Sequence, residues 1–537
     1  MRRASKFLFL WPVIAASLAA QPFDLLLTNA KVVDGMGNPW YRADVGIRAG
    51  RIAAIGRLAG RQASRTIDLR GQVVAPGFVD MMGGSSLPLL LHPASAQSKL
   101  RQGITTMFAG EGSSEAPRGD EPAIEGYRWR TFSEYFTLLE KKGIALNVLH
   151  NVGAAQVRRL VIGDEDRAPT PAELNTMRQH VEQAMRDGAA GLSTALIYPP
   201  GTYARTAELV AMAEVAGRFG GIYSTHMRNE SNHLLEAIAE SMEIGAKAAI
   251  PVHIYHLKAA GQENWPLMAK AVEAIQRARD NGQDVTADIY PYIRNGLGLS
   301  ALVHPRHFAT GARAFLPKLG DAALRRELRR EIESTSDWEN WYRHVGSDWN
   351  NILIAQASDK ALEGKSLAEA AKLKGKDAWD LFFELVQQGG VSVNPKSMDE
   401  EQKHLALRTP FVSFCTDASP TDIATATGAH PRAFGSFPRV LAHYVRDGKV
   451  IGLEEAIRKM TSLPANRLSL LDRGRIAPGM AADLVVFDPA RIADKANFTQ
   501  PLAFPEGIAH VLVNGQLAVE NGQPTASAAG RVLRHGR

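Results

Sequence analysis

Between residues 24 and 67 the chain advances in short apolar or alternating runs, among them Leu25-Leu26-Leu27, Lys31-Val32-Val33 and Arg51-Ile52-Ala53-Ala54-Ile55, set apart by Gly, Asn and Asp. That texture predicts β-strands joined by turns. It returns at 483–487 and 508–515, so the two ends are expected to build one small β-sandwich domain from 21–74 and 470–537. The middle, 75–469, alternates apolar strand-like runs with helical segments. This is the pattern of βα units wound around a parallel sheet, and the expected fold is an α/β protein with a (β/α)8 TIM-like barrel. Nine runs qualify as strands, at 73–80, 104–110, 146–152, 190–195, 222–226, 252–256, 285–290, 352–355 and 411–416. A barrel takes eight, so one is surplus. Thr170-Pro171-Ala172-Glu173 reads as a capping box with Pro at the first helical position, and it opens a helix ending near Asp187-Gly188.

The rhythm breaks between about 305 and 350 with a basic amphipathic helix at 322–332 and a Trp-rich stretch. The helix reads as a solvated face. An insertion before the last barrel strand also lies at the end where lids occur. At the N-terminus, Arg2, Arg3 and Lys6 precede an apolar run and a small-residue stretch ending at Ala20. That is the layout of a secretory signal peptide over residues 1–20, too short in its apolar part to span a bilayer, and it implies export to a periplasm or beyond.

Composition adds two constraints. Hydrophobic residues make up 45% and charged residues 22%, which is globular, and Cys415 is the single cysteine, so any metal must be held by His, Asp and Glu. Half of the formal charge of +6 comes from Arg2, Arg3 and Lys6, leaving too little for a nucleic-acid surface.

Barrel enzymes carry their chemistry where strands end. Two such runs deliver His226 and His256, one βα repeat apart, so the imidazoles are expected to converge; His253 reads as part of the wall. The run 411–416 presents Asp417, and 104–110 presents Glu111 between Gly110 and Gly112. Glu111, His226, His256 and Asp417 form a nitrogen and oxygen set that zinc accepts in an open catalytic site. Cys415 reads as a buried small residue.

Further motifs carry a family resemblance. Val74-Ala75-Pro76-Gly77-Phe78-Val79-Asp80, Gln102-Gly103-Ile104-Thr105-Thr106, Tyr198-Pro199-Pro200-Gly201, Thr225-His226-Met227-Arg228-Asn229-Glu230, His256-Leu257-Lys258, Tyr290-Pro291-Tyr292, Thr416-Asp417 and His430-Pro431-Arg432 stand in shared order over most of the chain. In these the chain resembles the D-aminoacylase branch of the amidohydrolase superfamily, the N-acyl-D-amino-acid deacylases. The resemblance implies a metal-bearing barrel that hydrolyses the amide of an N-acyl-D-amino acid, or of a dipeptide with a C-terminal D-residue. It also implies that Lys258, a tyrosine of the pair Tyr290 and Tyr292, and Arg432 hold the substrate carboxylate. Two departures stand out. Met82 and Gly84 occupy the places of the family's His-x-His pair, and Glu111 stands near its cysteine ligand. The expectation is therefore one zinc ion, or another divalent metal, on Glu111, His226 and His256, with Asp417 as general base and then general acid. The expected partner is a small carboxylate-bearing substrate, with no nucleic acid and no membrane once the leader is removed. A cyclic-amide hydrolase and a catalytically silent binding protein of the same fold are the alternatives.

Overall fold

The computed structural model describes residues 22–335, 337–426 and 428–536. The expected leader lies outside them. No helix of the described residues is long and apolar enough to cross a membrane.

Eight parallel strands form the barrel sheet: Phe78–Asp80, Ile104–Ala109, Asn147–Gly153, Gly191–Ala195, Ile222–His226, Val252–Ile254, Val285–Ile289 and Val412–Phe414. They neighbour one another in chain order, the order that successive βα units produce. Every residue in them is buried, polar ones such as Asn147, His150, Ser224, Thr225 and Asp288 included, so no strand presents an exposed face. The first and last strands meet through a buried carboxylate. Asp80 accepts hydrogen bonds from Thr416 N (2.9 Å), Thr416 Oγ1 (2.6 Å) and Lys99 Nζ (2.7 Å), and Asp417 N donates to Met82 O (3.0 Å). The side chain that ends the first strand thus fixes the backbone that presents Asp417.

The surplus run is 352–355. Ile352–Gln356 pairs antiparallel with Ser392–Pro395, which also pairs with Leu297–Gly298, in a separate three-stranded sheet. The run 73–80 serves two sheets, since Val73–Pro76 pairs with Leu484–Phe487 while Phe78–Asp80 enters the barrel.

Strands from both ends join in one nine-stranded sheet. Phe23–Val32 pairs on one side with Tyr41–Arg48 and on the other with both Ala63–Asp68 and Val73–Pro76. The sheet encloses a core of its own with Leu25, Leu27, Val45, Ile47, Val74, Leu484, Val486 and Leu512. The alternate residues Val73, Ala75, Val485, Phe487, Val511 and Val513 pack into the barrel's core instead. Period-two alternation therefore makes one sheet part of two cores and fixes it to the barrel.

The insertion is wider than 305–350. A separate hydrophobic cluster takes in Leu297 to Val393 together with Ala260; within it Trp349 lies 4.9 Å from Trp379 and 5.3 Å from Phe382 between ring centroids. The basic helix Ala322–Ser334 buries Leu328 and Ile332 and lays Arg325 and Arg329 over the rings of Phe383 and Trp379. It is thus a packed helix whose arginine stems cover aromatic surface, more than a solvated face.

Candidate metal centre and active site

A cavity of about 220 Å³ opens at the C-terminal ends of the barrel strands, lined by Glu111, His226, Glu230, His256, Lys258, Tyr290, Asp417 and Arg432 among others. Local backbone geometry sets three of these. Glu111 follows the Ile104–Ala109 strand between two glycines with φ of 98° and 65°; a Cβ on Gly112 would stand 2.7 Å from Ala195 N, so the loop folds this closely only with glycine there. His256 and Asp417 follow their strands in the left-handed region, with φ of 35° and 47°. Non-glycine residues rarely adopt it, and here it is held by His256 N donating to Asp288 Oδ1 (2.6 Å) and by the Asp417 bond to Met82.

His226 Nδ1 lies 2.8 Å and His256 Nε2 3.7 Å from Glu111 Oε1. One ligand atom from each of the three residues falls within 4.8 Å of the others. Two imidazole nitrogens and a carboxylate oxygen, without a thiolate, suit zinc or another first-row divalent ion, so the donor set fits a metal. Burial alone would raise the Glu111 carboxyl, but His226 and His256 hold it well below the usual carboxylate range. For His256, burial and Lys258 disfavour the charged ring, yet Glu230 and Glu111 prevail and raise it to about 10.

The far sides of both imidazoles meet Glu230, the last residue of the motif that begins at Thr225, to which its sequence context gives no role. Glu230 Oε1 lies 2.8 Å from His256 Nδ1, and Oε2 lies 3.4 Å from His226 Nε2 and 2.6 Å from Lys258 Nζ. Lys258 Nζ also lies 2.8 Å from His256 Nδ1, so Glu230 and Lys258 converge on that ring nitrogen. A ring that offers one nitrogen to a metal carries its proton on the other, and Glu230 is the carboxylate within reach of that side of both rings. His226, Glu230 and Glu339 form a second group with metal-ligand spacing. They share His226, whose Nδ1 already faces Glu111, so this group reads as support. Glu339 comes from the insertion and accepts from Glu230 N. Burial, then the charge of Glu230, raises its carboxyl to about 8. Nothing in the sequence around Glu339 signals this.

Asp417 is ion-paired with Arg432, and Lys258 with Glu230. Burial pushes the Asp417 carboxyl up, against the pull of Arg432 and His256. Arg432 commits one Nη to Asp417, while its buried Nε has no hydrogen-bond partner among the described residues. Tyr290 lines the cavity with its ring under Arg432 at 4.8 Å. Tyr292 does not. Its N donates to Tyr290 O (3.0 Å), a tight turn around Pro291 that carries the side chain behind His430, where its hydroxyl reaches Pro431 O. Of the tyrosine pair, only Tyr290 belongs to the site. Cys415 is fully buried, and His253 sits in the wall, bonded to Thr286 (2.8 Å) and Asp288 (2.9 Å), both as expected.

The places of the missing histidines are filled. Met82 packs with Tyr255, Tyr290 and Cys415. A Cβ at Gly84 would stand 2.6 Å from Ser419 Oγ and 2.7 Å from Ser419 N.

Comparison with known proteins agrees with this geometry. The model of the "Amidohydrolase family" matches residues 65–519. The chain is 36% identical over 524 residues to a D-aminoacylase of Alcaligenes xylosoxydans xylosoxydans, covering 96% of this chain and 98% of that one. Among solved structures it superposes with TM-score 0.81 and 32% identity on an N-acyl-D-glutamate deacylase from Bordetella bronchiseptica, complexed with zinc and a phosphonate mimic of the reaction's tetrahedral intermediate, over 96% of this chain and 100% of that one. A D-aminoacylase with a binuclear metal centre, showing one-metal activation and second-metal attenuation, superposes with TM-score 0.80 and 33% identity over the same shares. With a family match along most of its length, and with strand-end His226, His256 and Asp417 in the barrel's mouth, the chain belongs to the amidohydrolase family.

Proposed function

We propose that the protein is a metal-dependent hydrolase of N-acyl-D-amino acids, working with one divalent ion, zinc by preference, held by Glu111, His226 and His256. The observation that carries this is the convergence of those three ligands beside Asp417 and Arg432 in one cavity. Relatives bearing the names D-aminoacylase, N-acyl-D-glutamate deacylase and N-acyl-D-aspartate deacylase, all more than 30% identical, support the substrate class.

A divalent ion in this set supplies Lewis acidity, polarising the scissile carbonyl and making water more acidic. Asp417 takes a proton from the attacking water and passes it to the amide nitrogen as the C–N bond breaks, yielding a carboxylic acid and a free amino acid. Its raised pKa suits a group that must hold the proton in between. Arg432, with an unused Nε, and Lys258 at the cavity wall receive the substrate carboxylate; a guanidinium offers a fork that matches two oxygens. The single-ion reading rests on Met82 and Gly84, since the Gly84 loop has no room for an imidazole and Met82 is packed away. Elemental analysis of metal-replete protein together with a panel of N-acetyl-D- and N-acetyl-L-amino acids tests the proposal. One equivalent of metal and turnover of D substrates are expected; two reproducible equivalents, or an L preference, overturn the corresponding half. We also propose that residues 1–20 direct export, which fractionation of cells producing the full chain checks.

A further inference from the structure

One loop, residues 81–86 after the first barrel strand, is bonded to both of the loops that carry the candidate chemistry. Toward the loop after the eighth strand, Asp417 N donates to Met82 O (3.0 Å) and Ser85 N donates to Ser419 Oγ (2.9 Å). Toward the loop after the second strand, Gly110 N donates to Gly84 O (3.1 Å), while Ser85 Oγ (2.6 Å) and Ser86 N (2.9 Å) both donate to Glu115 Oε1. Ser85 thus reaches both sides, and its carboxylate partner Glu115 follows Glu111 on the same loop.

We propose, on the reading given under Proposed function, that Ser85 and Glu115 are positioning residues, bracing the loop of the metal ligand Glu111 against the loop of Asp417. Gly84, Glu111 and Ser419 line the catalytic cavity and also a neighbouring cavity of about 530 Å³, so these loops form a wall with space on both faces. Side chains in such a wall lack packing partners on the open sides. Directional hydrogen bonds are then left to fix where Glu111 stands relative to Asp417, and the bonds through Ser85 and Glu115 run between the two loops.

The brace is itself anchored in the barrel. Ser86 Oγ lies 2.8 Å from Tyr135 Oη and 2.9 Å from His150 Nε2, and His150 Nδ1 lies 3.4 Å from Glu115 Oε2. Burial pushes the pKa of the His150 ring down, against the pull of Glu115, which favours the neutral ring. One of its nitrogens can then accept from Ser86 while the other donates toward Glu115, and the Tyr135 hydroxyl donates to Ser86. Serine, histidine and carboxylate stand in the order of a nucleophilic triad, but Ser86 and His150 are fully buried, so the row fastens backbone and meets no substrate. Glu115 O accepts from Trp129 Nε1 (2.6 Å) and Ser114 Oγ from Gly153 N (2.9 Å), which fixes the loop around Glu115 in turn.

Chelator competition measures metal affinity, and the visible absorption of the cobalt-loaded protein reports the ligand geometry around the ion. Glu115→Ala and Ser85→Ala are expected to weaken metal binding by about tenfold or more and to shift the cobalt spectrum. Glu115→Gln, whose side-chain oxygen still accepts from Ser85 and Ser86, should restore most of both. The double variant Ser85→Ala/Glu115→Ala should lose no more affinity than Glu115→Ala, because the two residues share one hydrogen bond. Leu27→Ala, a cavity in the core of the terminal sheet, supplies the comparison: it should lower the urea midpoint and leave affinity and spectrum as in wild type. Ser419→Ala, which releases the Asp417 end, should lower kcat at saturating metal by about tenfold. Wild-type affinity and spectrum in Glu115→Ala, or losses that Leu27→Ala reproduces at equal loss of stability, overturn the positioning role, and so does an unchanged kcat in Ser419→Ala. If wild type turns over no N-acyl-D substrate, the hydrolase reading fails, and affinity and spectrum then decide the brace by themselves.

Discussion

Glu230 gives the sharpest test of how the centre is built. Its two oxygens serve three partners, His256 Nδ1 at 2.8 Å, His226 Nε2 at 3.4 Å and Lys258 Nζ at 2.6 Å. Glu230→Gln keeps the shape but leaves one acceptor oxygen and turns an amide donor toward two N–H groups and an ammonium. Loss of such an outer partner weakens metal binding by about 10–100-fold, or roughly 1.4–2.7 kcal/mol; since one carboxylate serves both rings, the upper end is expected. The same change strands Lys258, only 2% exposed, without its counter-charge, a loss on the order of 3–5 kcal/mol in stability. Chelator competition reads the first effect and urea unfolding the second, while kcat at saturating metal should stay near wild type. The double variant Glu230→Gln/Lys258→Met separates the two, regaining stability and not metal affinity. Wild-type metal affinity in Glu230→Gln, or recovery of that affinity in the double variant, refutes the orienting role.

Asp417→Asn should keep the fold and the bound metal while losing on the order of 10²-fold or more in kcat, because it retains the Arg432 contact but not the proton transfer; near-normal turnover removes Asp417 from the mechanism. Lys99→Met should destabilise the protein by about 3–5 kcal/mol, since it leaves Asp80 charged and fully buried at the barrel's closure, and an unchanged urea midpoint rules that out. Trp379→Ala should cost about 3–5 kcal/mol within the insertion's own core, read as faster proteolysis within residues 297–393 with the barrel left intact. Removal of metal by a chelator should abolish turnover, and one equivalent of zinc should restore it.

Chain-order logic made the barrel legible: apolar runs of strand length, each followed by a helix, place His226 and His256 on adjacent strands, and Ile222–His226 and Val252–Ile254 do pair. The capping box at Thr170 was equally local, with its side chain accepting from Glu173 N and Gly188 closing the helix in the left-handed region. Periodicity reports that a strand is buried and not which sheet receives it, which is why 352–355 reads like a barrel strand and lies in the insertion. Tyr292 misled for a related reason, because a turn around Pro291 decides which of two neighbouring rings faces the cavity. Glu230 and Glu339 were not legible as partners, since they meet only after a loop from the fifth strand and a segment more than a hundred residues later fold over the same spot.

The pairing of charges also bears on which substrates the site accepts. Lys99 with Asp80, Lys258 with Glu230 and Arg432 with Asp417 each join a carboxylate to a cation from another part of the fold. Each pair is neutral as a whole, and burial together with the charge of Glu230 favours the uncharged form of Glu339. Among the described residues the carboxylate at the ligand set left without a cation is then Glu111, and a divalent ion there, with both imidazoles neutral as ligands, leaves one positive charge in excess. In a mostly buried cavity that excess is weakly screened and favours an anion. The unused Nε of Arg432 gives the anion a place and a direction. A neutral amide lacks the charge that answers both features, so N-acyl amino acids should be turned over with higher kcat/KM than their carboxamides. Arg432→Ala should narrow that gap by roughly 2–4 kcal/mol in transition-state binding, and equal losses on acids and amides would show that the excess charge does not act through Arg432.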